Sequence, residues 1–125
     1  MNARQEVLAL GCHEDDLVLM TEAFSRSELT LQVIDDPGEF ARQAVSHRPL
    51  AIVLGVGSGT ITLLEMISVI RAVRHELPVL VIAENGSLEL ERSARQKEIF
   101  YYLVHPVECS ELEAVLQDLL RYSKS

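Results

Sequence analysis

The chain has 125 residues, 48% of them hydrophobic and 24% charged, with a net charge of −8. That length provides for one domain burying roughly two thirds of the surface its unfolded form exposes, and that composition argues against disorder. The acidic balance, with no basic stripe to offset it, argues against a nucleic-acid face, because a phosphate backbone demands positive charge.

Tryptophan is absent and only six residues are aromatic, so the core is expected to consist mainly of Leu, Val, Ile and Ala. Two cysteines, Cys12 and Cys109, are too few for a disulfide framework and lack metal-knuckle spacing. No apolar run reaches the roughly 18 residues that span a bilayer, and the opening MNARQE has no signal-like apolar stretch. A soluble cytoplasmic protein with no membrane partner is expected.

Along the chain, short apolar runs alternate with segments of helical spacing. Glu6 to Leu10 reads as a first strand, and Leu17, Met20 and Phe24 recur as one face of a first helix. Leu29 to Ile34 is strand-like. After it, Asp36 suits an N-cap and Pro37 the first helical position, whose missing N–H has no intrahelical partner anyway. Phe40 and Ala44 mark the apolar side of that second helix.

Leu50 to Leu54 is apolar at every position, as in a strand covered on both faces. A third helix is expected over Ile61 to His75, burying Leu64, Ile67 and Val73 among others. Pro78 opens a fourth strand, Val79 to Ala83, and Asn85-Gly86 signals a turn. Ser87 suits the cap of a fourth helix over Leu88 to Ile99. Tyr101 to Val104 is a fifth strand. Ser110 with Glu113 reads as a capping box for a last helix striped by Leu112, Val115, Leu116 and Leu119. Tyr122 to Ser125 reads as a frayed end or the start of a linker.

Five strands alternating with five helices predict an α/β fold, a doubly wound parallel sheet covered on both faces, in one domain over 1–125. A free-standing domain and the N-terminal domain of a longer regulator are both compatible with this. In such sheets ligands sit at the carboxyl ends of the strands, where strand order reverses. For order 2-1-3-4-5 the positions that matter are Gly11 and Cys12, Gly55, Ala83 and His105.

Pro78-Val79-Leu80-Val81-Ile82-Ala83 and Tyr102-Leu103-Val104-His105-Pro106, together with the gapless stretch from Gly55 to Arg71, resemble the chemotaxis-type (CheY-like) receiver domains of bacterial two-component response regulators. The resemblance runs from Val7 to Leu120 and implies the flavodoxin-like (βα)5 fold and a place in phosphorelay signalling. It also implies a cis peptide before Pro106. In that family an acidic pair ends the first strand and helps hold Mg²⁺, and an aspartate ending the third accepts phosphate from a histidine kinase. A Thr or Ser ending the fourth strand and a Lys ending the fifth grip the phosphoryl oxygens. By position these fall on Gly11 and Cys12, on Gly55, on Ala83 and on His105, and none matches.

Phosphoryl transfer to a carboxylate requires a carboxylate, and Mg²⁺ requires hard oxygen ligands. Glycine offers no side chain, alanine no hydroxyl, and cysteine a soft thiol. No slip of register restores the acceptor, because no acidic residue lies between Phe40 and Leu64. The resemblance is therefore to a degenerate, or pseudo-, receiver. No Ser/His/Asp or Cys/His constellation is visible, so no enzyme, cofactor or metal is expected. Glu14-Asp15-Asp16 is read as an ordinary acidic first turn facing the positive end of its helix.

The glycine run Gly55-Val56-Gly57-Ser58-Gly59 fits a dinucleotide cradle poorly, being Gly-x-Gly-x-Gly after the third strand instead of Gly-x-Gly-x-x-Gly after the first, and two other readings stand. One is a turn relaxed by the loss of the acceptor. The other is an anion nest over Gly55, Gly57, Ser58, Gly59 and Thr60. Cys12, His13 and His105 are expected on one rim, with Cys109 just beyond. Soft ligands there suggest zinc or thiol chemistry only weakly, and a lone buried cysteine usually behaves as a small hydrophobe.

Tyr102 aligns with the family's switch aromatic, and without a hydroxyl at Ala83 it is expected to hold one rotamer. The leading function is signalling by phosphorylation-independent contact with a protein: an effector domain, a kinase or a second copy. The expected face combines the fourth helix, fifth strand and fifth helix, with Glu89, Arg92, Arg95, Gln96, Tyr101 and Tyr102. A homodimer through it is compatible, although no residue compels one. The alternative is a sensor binding a small anion or nucleotide at the turn from Gly55 to Thr60.

Overall fold

The computed structural model describes residues 5–84 and 88–124, apart from the side chains of Ser58 and Lys124. The turn expected at Asn85-Gly86 and the cap expected at Ser87 lie outside them. Strands β1 (Gln5–Leu10), β2 (Leu29–Val33), β3 (Ala51–Gly55), β4 (Val79–Ala83) and β5 (Tyr101–Val104) alternate with helices α1 (Glu14–Ser25), α2 (Pro37–Ser46), α3 (Thr60–Val73), α4 (Leu88–Arg95) and α5 (Cys109–Lys124). All strand pairs are parallel, in the order β2-β1-β3-β4-β5.

Alternation along the strands divides the core in two. Leu8, Leu10, Ile52, Leu54, Val79, Val81 and Ala83 face one side, where Phe40 and Ala44 of α2, Leu63, Met66, Ile67 and Ile70 of α3, and Leu90 and Ala94 of α4 cover them. Val7, Ala9, Ala51, Val53, Leu80, Ile82 and Leu103 face the other, beneath Met20, Ala23 and Phe24 of α1 and Leu112, Val115, Leu116 and Leu119 of α5. From Val7 to Leu10 of β1 and throughout β3 and β4 the residues therefore have no solvent side, which explains their unbroken apolar runs. Phe24 and Phe40 are completely buried, each adding on the order of 2–3 kcal/mol of transfer free energy.

The second helix starts as expected. Asp36 accepts a hydrogen bond from the Glu39 N–H at 2.8 Å, and Pro37 occupies the first turn. Several other ends differ from the expectation. Helix α3 stops at Val73, so His75 lies outside it, and Val73 is 57% exposed rather than buried; Leu64 is half-buried and Ile67 fully buried.

Helix α4 stops at Arg95 instead of Ile99. Beyond its end Arg71 holds the chain, its guanidinium donating to the carbonyls of Leu77, Glu98 and Lys97, at 2.5, 2.8 and 3.2 Å. The last turn of α4 closes with i to i+3 bonds, Lys97 N–H to Ala94 and Glu98 N–H to Arg95, and Glu98 takes a positive φ of 60°.

The expected capping box at Ser110 and Glu113 is displaced. Helix α5 begins at Cys109, and the Glu111 side chain reaches back to the Glu108 N–H at 3.3 Å. Helix α5 also carries through Tyr122, where a frayed end is expected. The Tyr122 hydroxyl donates to the Glu76 carbonyl at 2.7 Å and its ring meets Phe100 edge-on. No helix among the described residues is long and apolar enough to cross a membrane.

Candidate functional site

Gly11, Cys12, Gly55, Ala83 and His105 all fall at the carboxyl edge of the sheet, as the topology requires. Gly55 ends β3 beside Ile82 of β4 and is fully buried. What fills the space beside it is backbone. A Cβ at residue 55 would lie 2.8 Å from the Gly11 carbonyl carbon and 2.9 Å from Cys12 Cα, with the Gly11 oxygen closer still. A Cβ at residue 57 would stand 2.6 Å from that same oxygen. The β1–α1 and β3–α3 loops touch main chain to main chain, and the Gly57 N–H donates to the Gly11 carbonyl at 2.8 Å.

This geometry uses donors that an anion nest would need. The Gly57 N–H is committed to Gly11, and the Gly59 N–H closes a 3-10 turn over Val56–Ser58 by donating to Val56 at 2.9 Å. Gly59 itself has φ of 100° and opens α3 at Thr60. The Ser58 side chain lies outside the described atoms.

Four titratable side chains form a line across the edge. His105 Nδ1 and Asp16 Oδ2 are 2.7 Å apart, and Asp16 is completely buried. Asp16 Oδ1 accepts the Val107 N–H at 3.1 Å. The His13 ring stacks on the His105 ring, centroids 3.9 Å apart and planes 16° from parallel, and its Nε2 bonds the Glu84 carboxylate. A carboxylate only accepts, so these contacts place a proton on Nδ1 of His105 and on Nε2 of His13. The peptide between His105 and Pro106 is cis, as the resemblance implies.

Asp16 corrects the reading of an ordinary acidic first turn. Glu14 and Asp15 are exposed, but Asp16 faces inward and ties α1 to the loop after β5. Glu84 and Asp16 are the residues that sequence reasoning missed. Glu84 follows the β4 run directly, and that adjacency is the one signal pointing to it.

Cys12 is half-buried, and burial first, then the charge of Asp16, pushes its thiol up to about 12. Its Sγ lies 3.8 Å from the Leu10 carbonyl. Such a sulfur stays protonated at neutral pH and is a poor nucleophile or metal ligand. Cys109 is exposed at the start of α5. Among the described residues no three His, Cys, Asp or Glu side chains are grouped to hold a metal ion. A shallow cleft of about 340 Å³ opens above the loops, lined by Gly11, Cys12, His13 and Gly57 with Asp35 and Glu84 at its rim.

On the expected partner face, Glu89, Arg92, Arg95 and Gln96 are exposed, while Tyr101 and Tyr102 are half-buried and point to opposite sides of β5. The Tyr101 hydroxyl bonds Asp118 of α5, and this bond raises its pKa. Tyr102 packs into the core layer beneath α4. Its hydroxyl is buried with no hydrogen-bond partner among the described residues, and burial raises its pKa. The Arg95 guanidinium stands 5.8 Å from the ring centroid.

No family model matches the chain. It is 27% identical over 115 residues to the transcriptional regulatory protein PrrA of Mycobacterium bovis, an alignment covering 92% of this chain and 49% of that protein. The chain thus spans about half the length of the curated relatives it matches. Its structure superposes on a response regulator receiver protein from Pseudoalteromonas atlantica with a TM-score of 0.80 at 14% identity, over 94% of this chain and 98% of that one. It superposes on the chemotaxis response regulator CheY4 of Vibrio cholerae with a TM-score of 0.76 at 19% identity, over 92% and 98%. The chain has the fold of the CheY-like receivers.

Proposed function

We propose that this chain is a receiver-like signalling domain without a phosphoacceptor, which works in the cytoplasm through phosphorylation-independent contact with a protein partner. The observation carrying this reading is the end of β3. The residue there is Gly55, buried against the Gly11 carbonyl, so the position offers neither a carboxylate nor room for one. Four other polar groups of the edge are committed to each other, Asp16 to His105 and Glu84 to His13. No enzymatic activity is assigned to this edge.

Output is assigned to the face of α4, β5 and α5. Arg92, Arg95 and Gln96 supply exposed polar contacts there, and Tyr101 and Tyr102 supply aromatic surface of the kind that anchors interfaces. The partner is an effector domain, a kinase or a second copy of the chain. The sensor reading has weaker support, because the Gly57 and Gly59 N–H groups already have acceptors.

Intact-mass spectrometry after incubation with acetyl phosphate and Mg²⁺ tests the first half of the proposal. No acyl phosphate should form, and a stoichiometric, acid-stable but hydroxylamine-labile adduct would overturn it. For the second half, Arg92→Glu with Arg95→Glu should abolish signalling output in cells while leaving the fold intact by circular dichroism. Undiminished output would remove this face from the proposal.

A further inference from the structure

We infer that the β1–α1 and β3–α3 loops form a backbone latch that closes against Gly55, at the floor of the cleft, and holds the carboxyl edge of the sheet in one state. This deepens the proposed function by naming how the site is regulated: it is closed permanently, so the output face is presented without a signal arriving at this edge.

Three observations converge on the latch. The Gly57 N–H to Gly11 carbonyl bond joins the loops directly. Gly55 and Gly57 each bring bare backbone to where a Cβ would collide with Gly11 main-chain atoms, which cannot move aside as a flexible side chain would. Gly11 itself has φ of 74°, a conformation that turns the β1–α1 loop and that other residues rarely adopt. Glycine at 11, 55 and 57 is therefore a matched set. Gly55 and Gly57 permit the close approach, Gly11 supplies the turn that presents its carbonyl, and a side chain at 55 or 57 would force the loops apart.

The consequence reaches beyond the missing carboxylate. An aspartate restored at 55 would meet a pocket filled with main chain, and Gly11 and Cys12 would still supply no hard ligand for Mg²⁺. One substitution cannot return this domain to phosphorylation control.

The test measures the latch in the unaltered chain and then breaks it. By hydrogen exchange followed by NMR, the Gly57 amide should exchange at least about 100-fold more slowly than an unprotected amide. Exchange at the unprotected rate would overturn the inference without any variant. Gly55→Ala, which adds only a Cβ, should lower Tm by roughly 5–15 °C, whereas Gly38→Ala in the first turn of α2 should change it by less than about 3 °C. An unchanged or raised Tm for Gly55→Ala would show that the loops are free to separate. Gly55→Asp, treated with acetyl phosphate and Mg²⁺, should yield no acyl phosphate, and phosphorylation of that variant would likewise overturn the latch. None of these outcomes depends on a partner, so the latch can fail while the contact reading stands, and the reverse.

Discussion

The His105 imidazole and the buried Asp16 carboxylate, 2.7 Å apart, join residues 89 positions apart in the chain and pin the first turn of α1 to the loop that follows β5. Each answers a problem set by the other. A fully buried carboxylate is costly unless it is paired and hydrogen-bonded, and Asp16 obtains both a ring N–H and the Val107 N–H. His105 stands where the resemblance places a phosphate-gripping lysine, and its ring nitrogen faces a carboxylate within the chain.

Removing one member of that pair leaves the other stranded. His105→Ala, which strands the fully buried Asp16 carboxylate, should cost about 3–5 kcal/mol of unfolding free energy, and Asp16→Ala somewhat less, because the imidazole it leaves behind is partly exposed. The double variant should lose less than the sum of the two, with a coupling of at least about 1 kcal/mol by urea titration. Strict additivity would show that the contact contributes nothing.

The buried Tyr102 hydroxyl gives a prediction of opposite sign. It has no hydrogen-bond partner among the described residues, and Ala83 at the end of β4 offers none. Tyr102→Phe should therefore stabilise the domain by up to about 1 kcal/mol, read from the denaturation midpoint. A loss of that size would mean the hydroxyl is bonded in solution.

Cys12 makes stability depend on alkaline pH. Its thiol ionises near 9 when unfolded and near 12 in the folded chain, because burial and then Asp16 oppose the thiolate. Between those values the unfolded state has lost a proton that the native state keeps, so stability falls as pH rises across that window and is intact below it. Cys12→Ala should flatten the decline between pH 9 and 11. In the native protein at neutral pH, Cys109 should react with a thiol reagent at least about 100-fold faster than Cys12.

The glycine turn is expected to bind no anion. With the Gly57 and Gly59 N–H groups already spent, nucleotides, cyclic dinucleotides and inorganic anions should leave the melting temperature unchanged. A saturable rise of several degrees at about 100 times a dissociation constant would restore the sensor reading.

The periodicity of the apolar residues determined the number, order and class of the elements, because each strand and helix declares its buried face within a few neighbouring positions. The Asp36 cap, the fully apolar third and fourth strands and the stripe of α5 were all legible in this way. The absence of any acidic residue between Phe40 and Leu64 was legible too, since it is read directly from the sequence. Only the tertiary structure showed where α3 and α4 stop, and only it brought Arg71 to carbonyls some 26 residues away. It alone distinguished Asp16 from Glu14 and Asp15, three carboxylates that share one turn but not one environment. The meeting of Gly11 with Gly55 and Gly57 was likewise hidden, since glycine carries no pattern that says which backbone will come to lie against it. Local spacing sets which face of an element is apolar, whereas the partner of a polar group or a bare backbone is chosen by contacts that close only once the whole sheet is assembled.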